Sequence, residues 1–374
     1  MQDINQFLQS NKQQALTELQ TLLGFQSVST DFKFKQSVTD CAVYLVDYLK
    51  SIGLLSTQLY QTAGHPIVYS HYHVDDQLPT LLIYGHYDVQ PADPYNLWDS
   101  DPFTATIRNG YIYARGVSDD KGQFFCHIKA IEAWLKVNKT LPVNIKLLIE
   151  GEEEIGSPHL AQFIQEHKDL LAADVAVISD TPMINKDQPA LCYSLRGMVY
   201  AELFVTGPNR DLHSGQYGGI IQNPIQALTT IVSKLKDDQD KVLIPGFYES
   251  VSQPTVLEQQ SLNQLAVQPN EILTNLGLTE FVHGSIDINK QLWLQPTLDC
   301  NGIVGGYINP GAKTIIPSQA SAKISMRLVA NQDPADIFDR FNRYVQSLVP
   351  AGVKLKVKCH TLAAPAKMNT QSRY

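Results

Sequence analysis

Cysteine is scarce and scattered. The 374-residue chain carries 5, at Cys41, Cys126, Cys192, Cys300 and Cys359, and none forms a CxxC pair. An odd number at such wide spacing excludes a disulfide framework and a thiolate zinc site, and describes reduced thiols in a cytoplasmic protein. Basic residues are also in deficit, with 29 Lys and Arg against 37 Asp and Glu, for a formal net charge of −8. Nucleic acid and anionic membrane, the partners that demand a basic face, are thereby excluded. No apolar run approaches the ~18 residues of a membrane-spanning helix. The opening segment MQDINQFLQSNKQQALTELQTLL lacks the basic start and apolar core of a signal peptide, so the expected compartment is the cytoplasm. GxGxxG and GxSxG are absent. GYINPGAKT (306–314) only imitates a phosphate loop, because Ala312 separates Gly311 from Lys313.

What is present is a globular composition, 44% hydrophobic and 18% charged, sufficient to bury a sizeable core. At roughly 150 residues per domain the length suggests two domains. Helical spacing of Leu and Phe predicts a helix over 3–23 and a second over 37–52. Three short apolar runs follow, TLLIY (80–84), VNIKLLIE (143–150) and DVAVIS (174–179). Runs of this kind suit strands covered on both faces. Amphipathic helices are predicted between them at 121–137 and 159–171, which gives an α/β layer, doubly wound around a mainly parallel sheet.

After about residue 195 the pattern changes. VYAELFVT (199–206), SAKISMRLVA (321–330) and VKLKVK (353–358) read as strands, the latter two alternating as if one face were wet. A helix begins near Pro224, and another spans 333–348 with Asp333 as its cap and Pro334 in its first turn. These elements predict a smaller α+β domain, with 245–300 as a polar insertion holding one short helix. The expected domains are therefore 1–195 and 196–358, with 359–374 beginning a return to the first.

Each apolar strand of the first domain runs into potential metal ligands: Gly85-His86-Tyr87-Asp88, then Gly151-Glu152-Glu153-Glu154, then Asp180. Ligands of open α/β sheets bind beyond the carboxyl ends of the strands, so these groups should converge. Asp119 and Asp120, where the 121–137 helix starts, point to the same rim. Taken singly, such residues are more often structural: a histidine packed beside a strand, acids at a helix start, a capping aspartate. Together they are different. Two carboxylates ~4 Å apart repel by ~4 kcal/mol at an effective dielectric of 20, so a rim crowded with them calls for a cation, raised pKa values or separation. One histidine among carboxylates favours zinc, with manganese or cobalt as alternatives.

GHYDVQP (85–91), RGVSDDKG (115–122), EGEEEIGS (150–157) and ISD (178–180), with RDLHSGQYGG (210–219), GGYINPGAKTIIPS (305–318) and ISMRLV (324–329), closely resemble the dinuclear zinc peptidases that include carnosinase and cytosolic non-specific dipeptidase. Aminoacylase, acetylornithine deacetylase and glutamate carboxypeptidase are more distant relatives. The resemblance implies a catalytic domain with an inserted lid and dimerisation domain, acting on dipeptides or short peptides as a homodimer. It implies that His86, Asp119 and Asp180 hold one zinc, that Asp119 bridges to a second zinc bound by Glu154, and that Glu153 is the general base. Asp88 would orient the His86 ring, and the Asp119–Asp120 peptide would be cis. His213 and Thr314 would serve the partner subunit's site, and Arg327 would pair with a substrate carboxylate.

The resemblance also implies a return of the chain to the first domain, carrying further strands, a glycine-serine loop and the last histidine of the second zinc site. Because the sequence stops at Tyr374, the expectation is a shortened chain with an incomplete second site, for which His360 is a poor substitute. Two alternatives stay open at this point: an N-acyl amino acid deacylase or desuccinylase, and a non-catalytic metal-binding or dimerising remnant.

Overall fold

A computed structural model describes residues 1–185, 187–265, 267–282 and 287–370, which form two compact units dividing between Pro182 and Met183. The predicted 3–23 helix is two, Gln2–Ser10 and Lys12–Leu23. They part at Asn11, whose side-chain amide donates to the Phe7 carbonyl (2.8 Å) and competes with the helical ladder. Next come α1 (Lys35–Ser51), β1 (Ser56–Tyr60), β2 (Ile67–Tyr72), β3 (Thr80–His86), α2 (Lys121–Asn138), β4 (Asn144–Glu150) and β5 (Val175–Ile178).

The strands form one sheet in the order β1-β2-β4-β3-β5. The three apolar strands read from sequence, β4, β3 and β5, are parallel, whereas β1 and β2 add antiparallel pairings, so the expected mainly parallel sheet is mixed. STQLY and IVYSHY carry too many polar groups to stand out as buried runs, and sheet pairing reveals them. On one face Leu45 and Leu49 of α1 and Phe124 and Ile128 of α2 pack on Ile83, Leu147 and Ile149. On the other, Tyr69 and Leu148 meet Phe163 and Leu171. Burying each such side chain is worth about 1.5–3 kcal/mol, and both faces of the layer are covered.

Parallel pairing aligns the strand ends. His86 of β3 lies opposite Glu150 of β4, and Tyr84 opposite Ile178 of β5. The first turn of α2 approaches the same edge closely: a Cβ on Gly85 would sit 2.7 Å from Phe124 Cβ and 2.8 Å from an Asp120 carboxylate oxygen. Glycine is required where α2 meets β3.

The second unit contains β6 (Gly197–Thr206), β7 (Leu212–His213), α3 (Pro224–Ser233), β8 (Thr297–Gly305), β9 (Ile315–Ile316), β10 (Gln319–Leu328), α4 (Pro334–Ser347) and β11 (Lys354–Ala363). An antiparallel sheet runs β8-β10-β6-β11. Its inner face, with Val199, Leu203, Ile324 and Met326, packs against Leu228 and Ile231 of α3 and Ile337 and Phe341 of α4. The other face is wet, as the alternation along β10 predicts. β11 continues through residue 358 to Ala363, and Ala366–Lys367 pairs with Ser194–Leu195. The 245–300 segment holds not one helix but three among its described residues, Val256–Gln264, Pro269–Leu276 and Ile288–Trp293. Their polar composition conceals them, although Thr255 and Glu258 form a reciprocal capping box. Among the described residues no helix is long and apolar enough to cross a membrane.

Asp333 caps α4 as its sequence position predicts, its carboxylate accepting from the Asp336 amide at 2.8 Å. Asp333→Ala should lower the stability of the second unit by about 1 kcal/mol, whereas Asp333→Asn should stay near wild type; urea denaturation of the two variants checks this.

Candidate metal centre

His86 is fully buried at the end of β3, and its ring makes two kinds of contact. Nδ1 lies 3.0 Å from the backbone carbonyl oxygen of Asp88. A carbonyl can only accept, so Nδ1 carries the proton and the neutral tautomer has its lone pair on Nε2. That Nε2 faces carboxylates, at 3.0 Å from Asp119 and 3.6 Å from Asp180. One donor atom from each of His86, Asp119 and Asp180 falls within 4.8 Å of the others. A bare lone pair facing two anions is unstable unless the ring is protonated or a cation lies between them. In the cation-free chain the ring takes the proton: burial works against its charge, but Asp119, Asp180 and Asp88 outweigh burial and raise its pKa. One imidazole and two carboxylates also suit a divalent transition metal, so the residues fit such an ion.

The Asp119–Asp120 peptide is cis. Asp120 occupies the N-cap position of α2 but makes no side-chain cap bond there. Its buried carboxylate accepts instead from the His86 backbone amide at 3.1 Å, leaving its other oxygen without a partner among the described residues. Burial is the main force pushing Asp120 up to about 7.

Asp88 is also fully buried. Its carboxylate stands 3.4 Å from His86 Nδ1, longer than the contact to the backbone carbonyl. Its two oxygens accept from the amides of Glu153 (3.2 Å) and Glu154 (3.1 Å). These glutamates open a short 3₁₀ turn, Glu153–Ile155, directly after β4. Glu154 turns toward Gln90, accepting from its backbone amide at 3.2 Å and its side-chain amide at 2.6 Å. It lies outside the three-residue cluster. The Glu153 carboxylate has no hydrogen-bond partner among the described residues, and burial above all raises its pKa to about 7, with Glu154, Asp180 and Asp88 adding repulsion and His86 opposing. Burial raises Glu154 as well.

Several residues take supporting roles that the sequence does not reveal. Glu152 is buried and accepts from the His65 amide (3.1 Å) while pairing with His159 Nδ1 (2.7 Å). Glu150 accepts from Tyr84 (2.6 Å) and Ser157 (2.8 Å). The Glu triplet therefore divides its labour: Glu152 anchors the loop and Glu153 is left free. Gln90 was readable only as part of GHYDVQP, without a partner.

In the second unit His213, the last residue of β7, and Thr314, immediately before β9, are brought together by the pairing of those two strands. Thr314 Oγ1 is 3.2 Å from His213 Nε2, the Ser214 amide donates to the Thr314 carbonyl, and His213 Nδ1 accepts from the Gly215 amide at 3.0 Å. Arg327 lies in β10 between Thr297 and Met198. Its neighbour Arg196 is held below its usual pKa by burial and then by the Arg327 charge, with Asp299 opposing. His360 is engaged within its own sheet, 3.0 Å from Glu202.

Glu153 and Asp120, both pushed up to about 7, keep protons in the folded chain at pH values where the unfolded chain has lost them. From about pH 4 to 7 the stability of the metal-free protein should therefore fall as pH rises. Thermal melts in chelator should show a lower midpoint at pH 7.5 than at pH 5.5, with a shallower decline in Glu153→Gln. Zinc should raise the midpoint more at pH 7.5. A midpoint that climbs across this window would contradict the assigned crowding.

The family model for peptidase family M20/M25/M40 matches residues 82–373. Among curated proteins, the Cys-Gly metallodipeptidase DUG1 of Candida albicans is 33% identical over 364 residues, covering 93% of this chain and 75% of the relative. Among solved structures, an M20 family metallo-carboxypeptidase from Sulfolobus solfataricus aligns with a TM-score of 0.85 at 35% identity, over 96% of this chain and 80% of the other. Human carnosine dipeptidase 1 aligns with a TM-score of 0.84 at 28% identity, over 99% and 82%. The chain spans 75% of the length of the first, 80% of the second and 82% of the third. By motif, by fold and by overall similarity, the chain belongs to the M20/M25/M40 peptidase family.

Proposed function

We propose that the protein hydrolyses the peptide bond of dipeptides or short peptides in a metal-dependent reaction. The observation that carries this reading is the His86 ring, locked by a backbone carbonyl so that Nε2 faces Asp119 and Asp180. These three residues would hold one zinc ion, and Asp119 with Glu154 would serve a second; manganese or cobalt suits the same donors. Bound there, such ions supply positive charge that acidifies water and polarises a carbonyl group.

The chain's own residues account for the proton. Glu153, its carboxylate without a hydrogen-bond partner among the described residues and pushed up to about 7, takes a proton from the attacking water and delivers it to the leaving amine. Asp88 serves this step indirectly, because its grip on the Glu153 and Glu154 amides sets where both carboxylates stand. His213 would donate a hydrogen bond to the developing oxyanion, with Thr314 beside it. We place both in the active site of the partner subunit of a homodimer. Arg327, with Arg196 adjacent, would bind the carboxylate of the substrate. The relatives support this substrate class, since their names include a Cys-Gly metallodipeptidase and a carnosine dipeptidase. A cytoplasmic setting accords with the cysteine pattern.

The zinc-loaded protein should cleave Ala-Gly-type dipeptides at least tenfold faster than acetylated amino acids; the reverse preference would make it a deacylase. Glu153→Gln should lower kcat on the order of 10²–10⁴-fold with metal content unchanged. Mixing Glu153→Gln with His213→Ala, each inactive alone, should restore about half of wild-type turnover per mixed dimer, since one of its two sites would be intact. No recovery after verified subunit exchange would remove the partner-subunit role of His213.

A further inference from the structure

We infer that Gln123 and His127 are positioning residues that hold Asp119 and Asp180 in register for a divalent cation; the inference rests on the metal-centre reading above. Asp119 and Asp180 come from segments distant in sequence, and neither is fixed by burial, with side-chain exposures of 63% and 26%. Their negative charges repel, so something must hold their backbones at one place. The first two turns of α2 do this. Gln123 and His127 stand four residues apart and so share one helix face.

The Gln123 amide is used at both ends. Its oxygen accepts from the Thr181 backbone amide at 3.2 Å, immediately after Asp180. Its nitrogen donates to the Ser118 carbonyl, immediately before Asp119. One carboxamide thus ties the two aspartate segments to each other and to the helix, a task that needs a donor and an acceptor on a single planar group. His127 adds a second tether on the opposite side of Asp180, with Nε2 2.5 Å from Ser179 Oγ. Asp180 is therefore held through both chain neighbours, by residues one helical turn apart. Neither residue touches the three donor atoms, and their effect passes through the backbone.

Cobalt(II) titration of the metal-free full chain, followed by its visible absorption bands, tests this without relying on turnover. Gln123→Ala should weaken cobalt affinity on the order of 10–100-fold and alter the band shape, and His127→Ala should weaken it about tenfold. Gln123→Glu, which keeps the acceptor and loses the donor, should fall between Gln123→Ala and wild type. Lys136→Ala, on the exposed face of the last turn of the same helix, should bind as wild type does. Should Gln123→Ala fail to fold, as judged by far-ultraviolet circular dichroism, Gln123→Glu and His127→Ala carry the test. Wild-type affinity and spectrum in the folded Gln123 and His127 variants would overturn the inference while leaving the metal centre intact. A wild-type chain that binds no cobalt would overturn both.

Discussion

An imidazole whose free nitrogen faces two carboxylates is the constraint on which the first unit is organised. At an effective dielectric of 20, like charges ~4 Å apart cost ~4 kcal/mol, and here Asp119, Asp180, Glu153, Glu154 and Asp88 all bear on His86 or on one another. A fold stabilised mainly by apolar burial holds such groups together only with raised pKa values or with a counter-charge among them. The sheet makes the gathering possible. Parallel β3, β4 and β5 end at one edge, and a glycine at position 85 lets α2 bring Asp119 and Asp120 against that edge.

Around this point the protein separates rigidity from reactivity. Asp88, Glu152, Glu150 and Asp120 are buried and spend their oxygens mainly on backbone amides or neutral donors, which fixes the loops without adding mobile charge. The Glu153 carboxylate accepts from no group among the described residues and is pushed up to about 7. An anchored carboxylate is a poor base because its hydrogen bonds favour the anion. One of three consecutive glutamates is left unanchored among the described residues, between a buried one and one bound to Gln90, so its carboxylate keeps its lone pairs for a proton.

The second unit has a different logic. Its antiparallel sheet buries one face against α3 and α4 and leaves the other polar, so charged residues such as Arg327 lie on an exposed surface. His213 and Thr314 occur roughly a hundred residues apart and meet only because β7 pairs with β9. This pairing is too short to announce itself through alternation, which explains why their association came from a family resemblance and not from periodicity. The polar helices within 245–300 were equally illegible, since they lack the apolar stripe that marks a helix in sequence.

The amino-acid sequence by itself determined the α/β layer, the three central strands, the N-terminal cap of α4 and the acidic residues at strand ends, because these depend on local composition and on the rule that strand ends converge. Tertiary structure alone decided the antiparallel β1 and β2, the true work of Asp120 and Asp88, the free state of Glu153, and the Gln123 and His127 tethers. The physical reason is reach. A side chain's partner in these cases lies many residues away, and only the packed backbone brings the donor to its acceptor.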